Sequence, residues 1–298
     1  MRKRTSFFNI ALNYILFRVI DGRNMLYFFK NDKSVVKLPS IKHLYSSCRS
    51  ANVEFLYYNE LTKELHFRTA DGIRTVSNDY FHIFIEIFCT KIYCSYEDYI
   101  RKEFIMIDAG ANRGYSALYF ANNSLCQRVY SYEPDKETFS YLQKNMKLNP
   151  QLSPKIVAKN VGLFHSDDIL TFYHHGKTDG INSTDAEFLK RFDKKRKNEM
   201  VPLQIEVKKA SVELAEIIQQ RSDEKDIFLK IDIEGAEYSV LTDLKAAGIL
   251  QNIYLIFGEC HNGFEEIMNI CGDTFECVFL NTCRIKGLYN FIIKNKNL

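Results

Sequence analysis

The sequence predicts an α/β protein built on a doubly wound, mostly parallel sheet. Three observations predict it. From residue 104 onward, short apolar segments alternate with helix-like ones, the pattern of strands joined by right-handed helical crossovers. Two of the apolar segments run into turns rich in glycine and acidic residues, IDAGANRGY and LKIDIEGAE. The chain closes with FECVFLN and YNFIIKN, two strand-like segments with no helix between them, which adds an antiparallel hairpin at one edge.

The elements follow in order. FIMIDAG (104–110) reads as a strand and YSALYFANN as a helix, then VYSYEP (129–134) as a strand and KETFSYLQKNMKLN as a helix. KIVAKNVGLF (155–164) is a strand, and DILTFYHHG (168–176) an added hairpin strand. VELAEIIQQ is a helix, IFLKIDIEG (227–235) a strand and EYSVLTDLKAAGIL a helix; NIYLIFGECH (252–261) is a strand and FEEIMNIC a helix. Ahead of this block, residues 80–100 are aromatic-rich and helical in pattern, and EFLYY, LHFRT and IRTV read as short strands around an Ala70-Asp71-Gly72 turn. Residues 1–50 read as helical and irregular. The expected division is therefore an N-terminal extension, residues 1–76, made of helix plus a small hairpin, and a main domain, residues 77–298.

A chain of 298 residues with 46% hydrophobic and 26% charged residues can build a substantial core. A net charge of +3 gives no sign of a dedicated nucleic-acid surface. The eight cysteines form no CxxC pair, which excludes a zinc ribbon or thioredoxin motif and suits buried, reduced thiols in the cytoplasm. Arg2-Lys3-Arg4 ahead of FFNIALNYILF (7–17) imitates a signal peptide, but Asn9, Asn13 and Arg18 interrupt it and no small-x-small site follows. The stretch is too short to span a bilayer, so the expectation is a helix packed on the domain, with a membrane-surface helix as the alternative.

The chemistry is sought at the carboxyl ends of the strands, where ligands bind in such sheets. The first ends in Asp108, followed by Gly110, Asn112 and Gly114 before a helix starts. Glycines permit a tight turn and close backbone approach. Asn112 stands where the dinucleotide fingerprint GxGxxG has its second glycine, and Asp108 suits a positively charged ligand group better than a pyrophosphate. Glu133 ends the second strand, one βαβ step on, where a carboxylate accepts both hydroxyls of a ribose. Asn160 ends the third, as an adenine reader or a plain turn residue. In LKIDIEGAE, Lys230, Asp232 and Glu234 alternate with apolar residues and so share one strand face. Lys230 lies deepest and needs Asp232 or Asp108 as counter-charge; a purely structural ion-pair network is the competing account. Glu259 and His261 add two more polar groups with the same period.

The stretches IDAGANRGYSALYFA, VYSYEPDKETFSYLQKNMKLN and LKIDIEGAE together resemble the FkbM-type methyltransferases of the class I S-adenosylmethionine-dependent superfamily. The resemblance covers about residues 77–298 and takes in Asp79, Glu86 and Tyr93 ahead of the first strand and the Glu259-x-His261 pair. It implies a Rossmann-like fold, S-adenosylmethionine as cofactor, and O-methyl transfer to a sugar or natural product. By position, Asp108, Gly110, Asn112 and Gly114 would line the methionine part of the cofactor, with Glu133 on the ribose. Asp232 and Glu234 would face the methyl and the acceptor, with Glu86, Tyr93, Lys230 and Glu259 on the acceptor side.

A hydroxyl acceptor must lose a proton, and His261 is the first expectation for the base by its unperturbed pKa, with Asp232 and Glu234 as rivals. A variant has Asp232 and Glu259 holding Mg²⁺; the favoured reading uses no metal. The basic run LKRFDKKRK (189–197) is either solvated or a grip for a phosphate or acidic headgroup, and the aromatics of TFYHHG either stack on a sugar ring or pack in the hairpin. Amino-group methylases of nucleic acids carry Asn/Asp-Pro-Pro-aromatic where this chain has IDIEGAE, which counts against a nucleic-acid substrate. A saccharide hydroxyl is the leading acceptor; a natural-product or lipid hydroxyl, then nucleic acid or protein, are the alternatives.

Overall fold

A computed structural model describes residues 26–28, 35–37, 41–59, 61–78, 81–175, 200–220, 225–261, 263–282 and 288–298. The segment 7–17, the basic run 189–197 and Asp79 lie outside the described residues. The chain forms two compact units, Met1–Lys91 and Ile92–Leu298.

In the first unit, β1 (Leu26–Phe28) pairs antiparallel with β2 (Val35–Lys37). Helix α1 (Ile41–Ser50) follows, then an antiparallel meander of β3 (Glu54–Asn59), β4 (Glu64–Arg68) and β5 (Arg74–Ser77). A short α-turn, His82–Phe84, runs into a π-helix, Ile85–Thr90. Phe84 stacks on Phe67 of β4 with ring centroids 4.4 Å apart, which holds this helical stretch, grouped by the sequence with the main domain, within the first unit.

The second unit is the doubly wound domain. Its strands are β6 (Phe104–Ala109), β7 (Cys126–Tyr132), β8 (Ile156–Lys159), β12 (Asp226–Ile231), β13 (Leu255–Cys260), β14 (Phe275–Thr282) and β15 (Tyr289–Asn295), with β9 to β11 outside this sheet. They lie in the order β14-β15-β13-β12-β6-β7-β8, parallel except for β14 and β15. The expected C-terminal hairpin is therefore present, with β15 seated on β13 and β14 at the edge. Helices α2 (Tyr115–Ala121), α3 (Lys136–Lys147), α4 (Ala210–Gln220), α5 (Glu237–Ala246) and α6 (Phe264–Cys271) join the strands.

Strands buried on both faces read as nearly continuous apolar runs, and β6 and β12 are buried at every residue. One face is aliphatic, with Ile105, Ile107, Leu229, Ile231 and Ile256 in a single core. The other is aromatic: Phe104 stacks on Phe228 at 4.7 Å and Tyr96 on Phe257 at 5.3 Å.

Two strands are shorter than their apolar runs suggested. The 155–164 run divides into β8 and β9 (Gly162–Phe164), and β9 leaves the main sheet for a small one with β10 (Asp168–His175) and β11 (Met200–Lys209). The LKIDIEGAE strand stops at Ile231. Glu234 takes φ +56° and Gly235 φ +105°, left-handed values that end extended geometry and start α5. Lys230 and Asp232 keep the strand's direction, but Glu234 is placed by the turn.

Candidate active site

The carboxyl ends of β6, β7, β12 and β13 carry nearly all the polar residues singled out above. Three groups can be built from the chain outward.

The first is the turn after β6. Asp108 is 0% exposed and accepts a 2.7 Å hydrogen bond from Ser116 Oγ on α2. Gly110 has φ +79°, and a Cβ there would lie 1.9 Å from the carbonyl oxygen of Asp232, so only glycine lets the β6 and β12 turns touch. Asn112 takes the left-handed φ of +50° and presents its backbone N–H to Glu133 Oε2 at 2.9 Å. Gly114 at φ +77° would place a Cβ 2.8 Å from Leu142 Cγ, so it serves the packing of α2 on α3.

Glu133, at the end of β7, receives a second backbone N–H, from Asp135 at 2.9 Å. Burial pushes its carboxyl up to about 8, despite those two donors, which favour the charged form. A carboxylate offers about four lone-pair positions. Two are committed to the turn, and the rest suit a pair of hydroxyls. Asn160 donates from Nδ2 to the carbonyls of Glu133 and Pro134 at 2.9 and 3.1 Å, so its amide fixes the chain that presents Glu133.

The second group surrounds Lys230, which is 2% exposed. Parallel register sets it opposite Asp108. Its Nζ lies 3.4 Å from Asp108 Oδ1 and 3.8 Å from Asp232 Oδ2, and donates to the carbonyls of Ala109 and Gly110 at 3.1 and 2.7 Å. Both counter-charges expected for it are in place. Burial raises the Asp108 carboxyl even so, with Lys230 and Ser116 pulling the other way. Tyr93 donates its hydroxyl to Asp232 Oδ2 at 3.1 Å; burial, then the charges of Asp232 and Glu259, push that phenol well above its ordinary value.

The third group joins the β12 turn to the end of β13. His261 Nδ1 is 3.0 Å from Glu237 Oε1, and Nε2 is 3.3 Å from Glu234 Oε2 and 3.7 Å from Glu259 Oε2. Burial alone would lower the imidazole, but Glu237 and Glu234 outweigh it and hold the ring well above its ordinary value. Burial pushes the Glu234 carboxyl up to about 7, against the pull of His261. Asp232, Glu234 and His261 bring ligand-type atoms within 4.8 Å of one another. Lys230 and Tyr93 already partner Asp232 there, and we assign no metal to the cluster.

Glu237 escaped the sequence reading, although an acidic residue in the first turn of a helix was a visible signal. It is fully buried and accepts the N–H groups of Ile233 at 2.9 Å and Gly235 at 3.0 Å as well as facing His261. Glu86 lies in the first unit, exposed on the π-helix.

A profile of the Methyltransferase FkbM domain matches residues 108–279, more than half of the chain. The chain belongs to the FkbM methyltransferase family. The matched span opens on Asp108 and contains each of the three groups except Tyr93. This FkbM-family chain is similar to "Methyltransferase 1" of Beauveria bassiana (strain ARSEF 2860), 30% identical over 151 residues that cover 47% of this chain and 57% of that protein. It thus spans little more than half the length of that relative. A crystal structure of the methyltransferase FkbM from Methylobacillus flagellatus KT superposes with a TM-score of 0.42 at 15% identity, covering 72% of this chain and 54% of that one. TrmK of M. capricolum, in complex with its natural cofactor product S-adenosyl-homocysteine, gives a TM-score of 0.40 at 12% identity, covering 67% and 65%. No helix among the described residues is long and apolar enough to cross a membrane.

Proposed function

We propose that this protein is an S-adenosylmethionine-dependent O-methyltransferase whose acceptor is a saccharide hydroxyl. The observation that carries the cofactor reading is Glu133, buried and aimed by the Asn112 and Asp135 amides beside the Gly110 turn. That arrangement fits a ribose held next to a close-approaching backbone. Asp108 and the acidic edge beyond it favour a cation, and the cofactor supplies a methyl group already activated on a positively charged sulfonium.

The residues of the chain then bind, align and move a proton. The Gly110 turn and Glu133 fix the cofactor, and the carboxylates of Asp232, Glu234 and Glu259 line the edge where the acceptor must enter. Carboxylates accept hydrogen bonds from hydroxyls and repel anions, which supports a neutral polyhydroxyl acceptor over a phosphate or carboxylate at the reacting position. Tyr93 is proposed on the acceptor side. The charge already partnered around Asp232 makes a metal unnecessary, and transfer is expected to survive exhaustive EDTA treatment; its loss, restored by Mg²⁺, would remove the metal-free reading.

The test uses cofactor carrying a radiolabelled methyl, incubated with the full chain and an extract of source cells lacking the gene. Label in the glycan or glycolipid fraction, reduced with Glu133→Ala when cofactor is kept below saturation, supports the proposal. Label in nucleic acid, protein, or a non-sugar small molecule or lipid keeps methyl transfer and overturns the saccharide.

A further inference from the structure

We infer that Glu234 takes the proton of the acceptor hydroxyl, and that Glu237 and His261 form a positioning pair that aims it. The inference rests on the methyl-transfer reading above and names the residues within it.

His261 is poorly placed to be the base. Its side chain is 3% exposed, and both nitrogens face carboxylates: Glu237 at Nδ1, and Glu234 and Glu259 at Nε2. A ring with carboxylates at both ends donates from both nitrogens and aims no lone pair at an acceptor. Asp232 is also engaged, by the Tyr93 hydroxyl at 3.1 Å and Lys230 at 3.8 Å. Glu234 differs. It sits on the turn beyond β12, its side chain 22% exposed, with Oε2 3.3 Å from His261. The carboxylate can be steered by the ring and still offer lone pairs outward.

Glu237 explains why the turn holds Glu234 there. Its oxygens accept the N–H of the residue before Glu234 and of the residue after it, Ile233 and Gly235, and one of them also faces His261 Nδ1. One buried carboxylate thus braces the backbone on both sides of Glu234 and the ring that contacts its side chain. A left-handed, non-glycine backbone such as that of Glu234 is costly and persists where its surroundings over-determine it.

In the step itself, the acceptor oxygen forms a bond to the methyl carbon, the carbon–sulfur bond breaks with its electron pair going to sulfur, and the hydroxyl proton passes to a Glu234 oxygen. Methyl ether, thioether and protonated Glu234 result, and the proton then leaves to solvent. The groups facing Glu234 are His261, Glu259 beyond the ring, Asp232 and Glu237, with Lys230 and Tyr93 on Asp232. Burial sets its carboxyl at about 7, where a base works best near neutral pH.

The test uses the full chain with Glu234→Gln, His261→Gln and Glu237→Gln. Transfer of radiolabelled methyl to the carbohydrate fraction of cells lacking the gene is followed against pH, and nitrogen NMR of the histidine rings is recorded without cofactor. Expected for the unaltered chain are a kcat/KM that rises with pH through about 7 and a His261 ring protonated at both nitrogens. Glu234→Gln should lower kcat by about 100-fold or more with cofactor affinity kept. His261→Gln removes the cation that favours ionised Glu234 and should move the midpoint to higher pH. Glu237→Gln should let the His261 ring lose a proton at lower pH. Transfer by Glu234→Gln near the unaltered rate, or a His261 ring that is neutral at pH 7, would overturn the inference alone. A chain that binds cofactor but transfers no label to any fraction would overturn the methyl-transfer reading with it.

Discussion

Replacing Lys230 by Met tests whether the charge at the centre of the sheet is held by its partners. Lys230 is 2% exposed and Asp108 0%, 3.4 Å apart on neighbouring strands. Methionine fills similar volume, so the cavity cost is small. The main loss is the counter-charge of a fully buried carboxylate, which costs about 3–5 kcal/mol. The Ala109 and Gly110 carbonyls lose a donor in the same change. For a unit spanning Ile92–Leu298, each kcal/mol shifts Tm by about 2–4 °C, giving a fall of roughly 10 °C. The fall should also depend on pH. Burial already raises the Asp108 carboxyl, and without Lys230 it rises further. The folded state then holds a proton that the unfolded chain releases above about pH 4, so stability declines as pH rises through that window. Calorimetry of both chains at pH 5 and pH 8 is the assay, with the larger deficit expected at pH 8. A Tm loss under about 3 °C, or one equal at both pH values, would refute the reasoning.

Two further changes address the cofactor turn. Gly110→Ala would drive a Cβ to 1.9 Å from the Asp232 carbonyl in a left-handed backbone. Overpacking and strain together should cost about 2–4 kcal/mol, read as a lower denaturant midpoint, and separating the two turns should abolish cofactor binding by calorimetric titration. Glu133→Ala should weaken cofactor binding by at least about tenfold, the loss of a pair of buried hydrogen bonds at about 0.5–1.5 kcal/mol each, while leaving transfer at saturating cofactor less affected; unchanged affinity would take the ribose away from Glu133.

Much of this architecture is legible in the sequence. The alternating pattern from residue 104 and the helix-free C-terminal pair correspond to the parallel sheet and its β14–β15 hairpin, because a strand buried on both faces must be apolar throughout. Gly110 and Glu133 stand out because backbone approach and a carboxylate at a strand end each leave a residue-type signature. Lys230 announces its need for a partner, since an unpaired buried ammonium is prohibitively costly.

The tertiary structure decides what depends on through-space distance. The alternation in LKIDIEGAE continues past the strand's end, and only the positive φ values at Glu234 and Gly235 show that the chain has turned. Periodicity cannot register that, because a turn that keeps the polar order keeps the pattern. Likewise, His261 reads as a free imidazole near its ordinary pKa. Its pKa is raised by Glu237 and Glu234, 24 and 27 positions back along the chain, brought to 3.0 and 3.3 Å by the packing of β13 beside β12. The sequence by itself thus determined which strand ends carry charge. Which of those charges are bound to one another was decided by the fold, because electrostatic coupling is set by distance and burial rather than by order along the chain.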